Sequence, residues 1–269
     1  APFYLIMNNK PTIQDFFTRA NRVSGIAEGD YEQVRAIIQT TNAIARSISQ
    51  CVYIINYFMQ DFLWVSDSLA LLCGETPEKI RQGGYRLYID HVPEDEQKML
   101  LEINEKGFEL FNQLPKEERT DYTISYDFHI AVADPDAPTT AVPRLTLINH
   151  KLTPLTMTPD GRIHLALCTV APSAYQTPGH IIMRKSGGNL RYEYNLAKHL
   201  WEQRPEIALN PLETSILKLS SQGLSMQQIA DRTCRSYEAI KSAKRRMFAR
   251  LGVRTTTEAI AFAANNRLL

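Results

Sequence analysis

Residues 225–252 read SMQQIADRTCRSYEAIKSAKRRMFARLG, and this stretch decides how the C-terminal part of the chain is built. Ser225 is placed to cap a short helix holding Ile229 and Ala230, and Ser236 a longer one holding Ile240, Met247 and Leu251. Gly252 closes the longer helix. Upstream, Leu212, Ile216, Leu217 and Leu219 give one apolar face over residues 211–222, and Gly223 follows as a C-terminal cap. Short helices separated by tight turns, the last one basic, predict a helix-turn-helix.

The third helix can be turned on paper at about 100° per residue. With Ile240 as zero, Met247 and Leu251 fall within about 20° of it. Lys241, Arg245 and Ser242 fall near 100°, 140° and 200°, away from the core, while Lys244 at about 40° flanks the apolar stripe. An apolar back with a Lys/Ser/Arg front suits a major groove, and Tyr237, Lys244, Arg246 and Arg250 are the matching candidates for backbone phosphates.

Charge distribution agrees. The chain of 269 residues carries a formal +1, but Pro205–Leu269 holds 10 Lys/Arg against 5 Asp/Glu and the remainder 20 against 24, so a basic end of +5 sits on an acidic body of −4. The length predicts about two domains, and 44% apolar with 22% charged residues excludes wholesale disorder. The uncharged window Ser47–Gln60 is too short and polar to span a bilayer, and Ala1–Met7 lacks a signal-peptide core, so a cytoplasmic protein with no membrane contact is expected. Cys51, Cys73, Cys168 and Cys234 lie far apart without a CxxC and are expected to be buried reduced thiols.

The motifs of the basic end carry a resemblance. Leu209-x-x-Leu-Glu213, Ile216-Leu217-x-Leu219, Gly223-Leu-Ser225, Gln228-Ile-Ala230, Ser236-x-x-Ala-Ile-Lys241, Arg250-Leu-Gly-Val253 and Glu258-Ala259 resemble the DNA-binding domain of LuxR/NarL/FixJ-type (GerE-like) bacterial transcription regulators, over nearly all of residues 209–263. The resemblance implies that Lys241, Ser242 and Arg245 face the groove, as the wheel does. The family usually has Thr where Ala239 stands and His where Ala243 stands, which leaves the operator preference open.

The larger part predicts an α+β domain. Residues 31–49, led by Asp30 and Gln33, form an amphipathic helix that either pairs with a second copy or packs on its own sheet. Val52–Tyr57 and Phe62–Val65 are short strands. Ser66 and Thr76 cap two short helices, and Pro93-Glu94-Asp95-Glu96 opens a longer one towards Phe111. Tyr122–Ala133, Leu145–Thr153 and Ile163–Thr169 alternate as strands, with Asp134–Pro143 a loop. A five-stranded antiparallel sheet with helices on one face follows. Ile181–Arg184 and Leu190–Tyr194, flanking Ser186-Gly187-Gly188-Asn189, form a hairpin able to add an arm to the sheet, and Trp201–Leu209 a bridge to the basic end. The expected organisation is a helical extension (1–49), a sheet domain (50–172), a linker with a hairpin (173–204) and the helix-turn-helix domain (205–269).

The element order of residues 50–172, with Ile54-Ile55-Asn56, Trp64-Val65-Ser66, Gly74-x-x-Pro77-Glu78 and His91-x-Pro-Glu-Asp95, resembles a PAS domain. The resemblance implies a sensor or dimerisation module with an unidentified small molecule between sheet and helices. The flavin-binding Asn-Cys-Arg-Phe run is absent, and His91 suits a helix start better than a haem ligand. A phospho-receiver is excluded by three consecutive long strands.

Asp127, His129, His150 and His164 on neighbouring strands raise a metal-dependent enzyme as a remote alternative; no metal or catalytic residue is assigned, and no enzyme is expected. A protein-interaction or architectural role for the same folds is the nearer alternative. The expected function is a sequence-specific, homodimeric transcription regulator on double-stranded DNA, with RNA polymerase a further candidate contact. The signal, operator, target genes and sign of regulation are not legible in the residues.

Overall fold

A computed structural model describes residues 10–24, 31–132, 144–266 and 268–269. The Asp30 cap and the 134–143 loop lie outside these residues. The chain divides into two compact units, Ala1–Ala171 with Pro178–Arg204, and Pro172–Thr177 with Pro205–Leu269. The stretch 173–204, expected as a linker, is therefore shared between both units.

The first unit is α+β. Helix α1 (Tyr31–Ala45) precedes β1 (Cys51–Asn56) and β2 (Asp61–Val65). Then come α2 (Asp67–Cys73), α3 (Pro77–Gly83), α4 (Arg86–His91) and the long α5 (Glu94–Gln113). Strands β3 (Tyr122–Val132), β4 (Arg144–Met157), β5 (Ile163–Pro172), β6 (Gly179–Lys185), β7 (Leu190–Asn195) and β8 (Leu200–Pro205) complete it. Among the described residues the strands make one antiparallel sheet of eight, in the order β2-β1-β5-β4-β3-β6-β7-β8.

Five strands were expected, and the difference is physical. β6 pairs directly with β3, whose edge would otherwise be open, so the 181–194 hairpin continues the sheet. Leu200–Pro205, which takes in the first part of the expected 201–209 bridge, is the last strand. β4 runs on through Pro154 because its register with β3 ends at Ile124–Leu152, so the proline interrupts no rung of that ladder.

Local signals set the ends. Ser66 Oγ accepts from Leu69 N at 3.4 Å and from Val52 N at 2.9 Å, so one hydroxyl caps α2 and ties it to β1. Thr76 Oγ1 caps α3 through Lys79 N at 3.2 Å. At Gly84, φ is +53° and a Cβ would stand 2.6 Å from Asp61 Oδ1, so the α3–α4 turn admits only glycine.

The inner face of the sheet packs against α2–α5 through Tyr53, Phe62, Leu69, Leu101, Phe128 and Ile148, all at most 2% exposed. Buried Arg119 threads between strand and helix, donating to the carbonyls of Leu114 (3.0 Å), Gly161 (2.5 Å) and Asn112 (2.6 Å). On the outer face, Ile37, Thr41 and Ile44 of α1 share a cavity of about 310 Å³ with Val52, Leu155 and Leu167. α1 thus lies against its own sheet, and Ile44 stays 49% exposed.

Candidate nucleic-acid interface and core cavity

Among the described residues the second unit holds four helices, α6 (Pro211–Ser221), α7 (Met226–Arg232), α8 (Tyr237–Leu251) and α9 (Thr256–Asn265). Three open with reciprocal capping boxes, Asn210 with Glu213, Ser225 with Gln228 and Thr255 with Glu258, and Ser236 caps α8 through Ala239 N at 3.2 Å. Between α7 and α8 the chain turns at Cys234, φ +51°, and Arg235 N donates back to Ala230 O at 2.9 Å. Cys234 is therefore exposed, unlike buried Cys73 and Cys168. Gly252, φ +70°, closes α8.

α8 buries Ile240, Ala243, Met247 and Leu251 against Ile216 and Phe262. Its opposite face is exposed. Lys241 keeps 62% of its side chain in solvent, with Glu238 3.9 Å away. Arg245 is exposed and makes no ion pair among the described residues. Ser242, half-buried, accepts from Arg246 Nη1 at 2.8 Å. Tyr237 at the start of the helix is 40% exposed. Lys244 lies 5.6 Å from the Phe248 ring centroid, and partial burial pulls its pKa below the ordinary lysine range. Between Tyr237 and Leu251 stand five basic residues and one acidic residue, so the helix as a whole carries a formal +4.

Arg250 has partners inside its own unit. Its guanidinium donates to Ala208 O at 2.6 Å and to Glu213 Oε2 at 2.5 Å, and the same carboxylate oxygen accepts from Asn210 N. Glu213 is buried, so Arg250 joins the end of α8 to the start of α6. The wheel could not show this, because the partner lies 37 residues away. The Asn-x-x-Glu and Thr-x-x-Glu spacings that form the first and last capping boxes could have been found in the sequence.

In the first unit the polar groups of the core converge on His150. Tyr53 Oη lies 2.8 Å from His150 Nε2 and also bonds Tyr88 Oη. Burial drives the imidazole pKa down to about 3 and pushes the Tyr53 and Tyr88 phenols well up. His150 Nδ1 has no hydrogen-bond partner among the described residues. Next to this centre, Ile103, Asn104, Gly107 and Phe108 of α5 face Tyr122, Ile124 and Leu152 across a cavity of about 40 Å³.

The four residues weighed for a metal do not assemble. Tyr126 is the cross-strand partner of His150, and Asp127 that of Asn149, so Asp127 and His150 point to opposite faces. His129 instead contacts Glu96 of α5, Nδ1 to Oε1 at 2.6 Å. Among the described residues no group of three His, Cys, Asp or Glu side chains is arranged to hold a metal ion, and no helix is long and apolar enough to cross a membrane. His91 ends α4.

No family model and no curated protein matches the chain. Its likeness to solved structures is distant. Phage VqmA, in a complex with DPO, is 16% identical, with 90% of each chain covered and a TM-score of 0.35. The Vibrio cholerae VqmA dimer without target DNA, described as a LuxR-type receptor, is 11% identical over 87% of each chain at a TM-score of 0.29. An RNA-binding light-oxygen-voltage receptor is 10% identical over 79% of this chain and 47% of that one, also at 0.29. At these values the likeness carries neither ligand nor partner across to this chain.

Proposed function

We propose that the chain is a sequence-specific DNA-binding transcription regulator, in which α7 and α8 form a helix-turn-helix and the first unit is a PAS-like sensor. The observation that carries the reading is α8 itself: its apolar face is buried, and Lys241, Ser242 and Arg245 stand on the face turned to solvent. An α-helix fits the major groove, and Arg and Lys are the side chains that pair with guanine edges there. On this reading Lys241, Ser242 and Arg245 read bases, and Tyr237, Lys244 and Arg246 position the helix on phosphates. Arg250 leaves the phosphate set, because its two contacts hold α8 to α6.

The protein acts by occupancy and not by catalysis. It works as a cytoplasmic homodimer on a two-fold operator, and a small molecule held between sheet and helices shifts its DNA affinity by preferring one of two states. Salt-dependent duplex binding separates this reading from a protein-contact role for the same helices. Arg245→Ala is expected to weaken a cognate duplex by ~1–3 kcal/mol and relax one base position, and Lys244→Ala to lower the slope of log K against log salt by about 0.9. Arg250→Ala should leave that slope intact and lower the stability of the unit instead. A uniform loss across all sequences for Arg245→Ala would contradict base reading.

A further inference from the structure

α5 makes two kinds of contact within two helical turns. Ile103, Asn104, Gly107 and Phe108 wall the inner cavity. Glu102 and the Lys106 carbonyl, interleaved with them, hold the β7–β8 hairpin. Buried Glu102 accepts from Tyr194 Oη at 2.6 Å and meets His199 Nδ1 at 2.5 Å through the same Oε1. Trp201 Nε1 donates to Lys106 O at 3.0 Å, and its ring packs on Tyr194 with centroids 5.1 Å apart. His199 sits at φ +53°, a backbone state that a histidine keeps only when its surroundings hold it there. Six residues later β8 ends at Pro205, where the chain enters its second unit.

Size decides what a molecule in the cavity must do. A water needs roughly 10–15 Å³ on the same measure. About 40 Å³ therefore holds roughly three or four waters. Anything larger has to move a wall. The sheet wall is made of strands, β3 hydrogen-bonded on both sides to β4 and β6, whereas α5 is held through side chains, by packing and by side-chain hydrogen bonds, so the helix yields first. The helix is already close: a Cβ on Gly107 would stand 3.0 Å from Ile124 Cδ1.

We propose that the β7–β8 hairpin is a lever clamped to α5, through which displacement of that helix is passed to the chain at Pro205 and so to DNA affinity. Glu102 and Trp201 are its positioning residues. The last step alone rests on the function proposed above; the clamp itself does not.

The test uses the full chain carrying Trp64→Phe, which leaves Trp201 as the only tryptophan. Gly107→Ala and Leu152→Phe crowd the cavity from opposite walls and stand in for an unidentified ligand, so that if one fails to fold the other still reads the effect. Each is expected to shift Trp201 emission, raise amide exchange over residues 200–205, and change duplex affinity about fivefold or more, the usual size of coupling between sites. In the Glu102→Leu/Tyr194→Phe/Trp201→Phe background, with every bond of the clamp removed and the fold checked by its melt, the same fillings should leave exchange at 200–205 and affinity where the background sets them. A response that persists in the released background, or a folded filling variant whose hairpin does not respond, would overturn the lever. A hairpin response in a protein that binds no duplex at all would uphold the clamp and overturn the DNA-binding reading.

Discussion

The two units are held together on different length scales. In the second, helix starts are fixed by contacts three residues apart: Asn210 with Glu213, Ser225 with Gln228, Ser236 with Ala239, Thr255 with Glu258. In the first, the polar contacts that organise the core reach across the sequence. Tyr53 meets His150 97 residues on, Glu102 meets Tyr194 after 92, and Arg119 meets Gly161 after 42. A unit built from local signals is stabilised by many small, separable terms. A unit built from distant ones depends on a few groups whose partners have no substitute.

That contrast is sharpest at Arg119. Arg119→Met keeps the stem beside Phe111 but leaves two buried carbonyls without their donor, at about 1–3 kcal/mol each, and a part-buried third. The loss is expected to be about 3 kcal/mol or more, confined to the first of two transitions in a calorimetric or urea melt. An equal effect on both transitions would mean that the units unfold as one.

Acid should separate the units next. His150 is buried neutral with its pKa lowered to about 3, so from its unfolded value of 6.5 downwards the unfolded chain binds the extra proton. The stability this burial contributes is complete above pH 6.5 and is lost as pH falls towards 3, with a slope of up to about 1.4 kcal/mol per pH unit. Urea midpoints between pH 7 and 4 should fall more steeply for the wild type than for His150→Gln. The second unit contains no histidine, so its transition should lack this component.

The smallest effects belong to the caps. Asn210→Ala, Ser225→Ala and Thr255→Ala are each expected to cost about 1 kcal/mol in the second transition alone, and to add within a few tenths. Strong non-additivity would show that the second unit is less local than its capping bonds suggest.

The same division explains what the residues disclosed in advance. The turn of α7 into α8, the cap at Ser236 and the buried stripe Ile240–Met247–Leu251 were legible because each rests on neighbours within one or two turns. So were the Ser66 and Thr76 caps and the order of β1–β5. The 181–194 hairpin was legible as two strands, but its pairing to β3 was not, because that is set by where the edge of β3 lies, and β8 has only short-range alternation of its own. Asp127 and His150 looked like neighbours in a strand count and face opposite ways, since register cannot be read without the partner strand. The contacts of Arg250 were not legible for a related reason: its partner Glu213 stands on another helix.

The central claim is that α8 reads DNA sequence. Its most direct test is selection of bound fragments from a random duplex library at two salt concentrations, for the wild type and for Lys241→Ala/Arg245→Ala. A shared motif of two half-sites, recovered by the wild type and lost in the double variant while both melts stay unchanged, is the result this account predicts. Recovery of the same motif by the double variant, or of fragments with no motif by either protein, would contradict it.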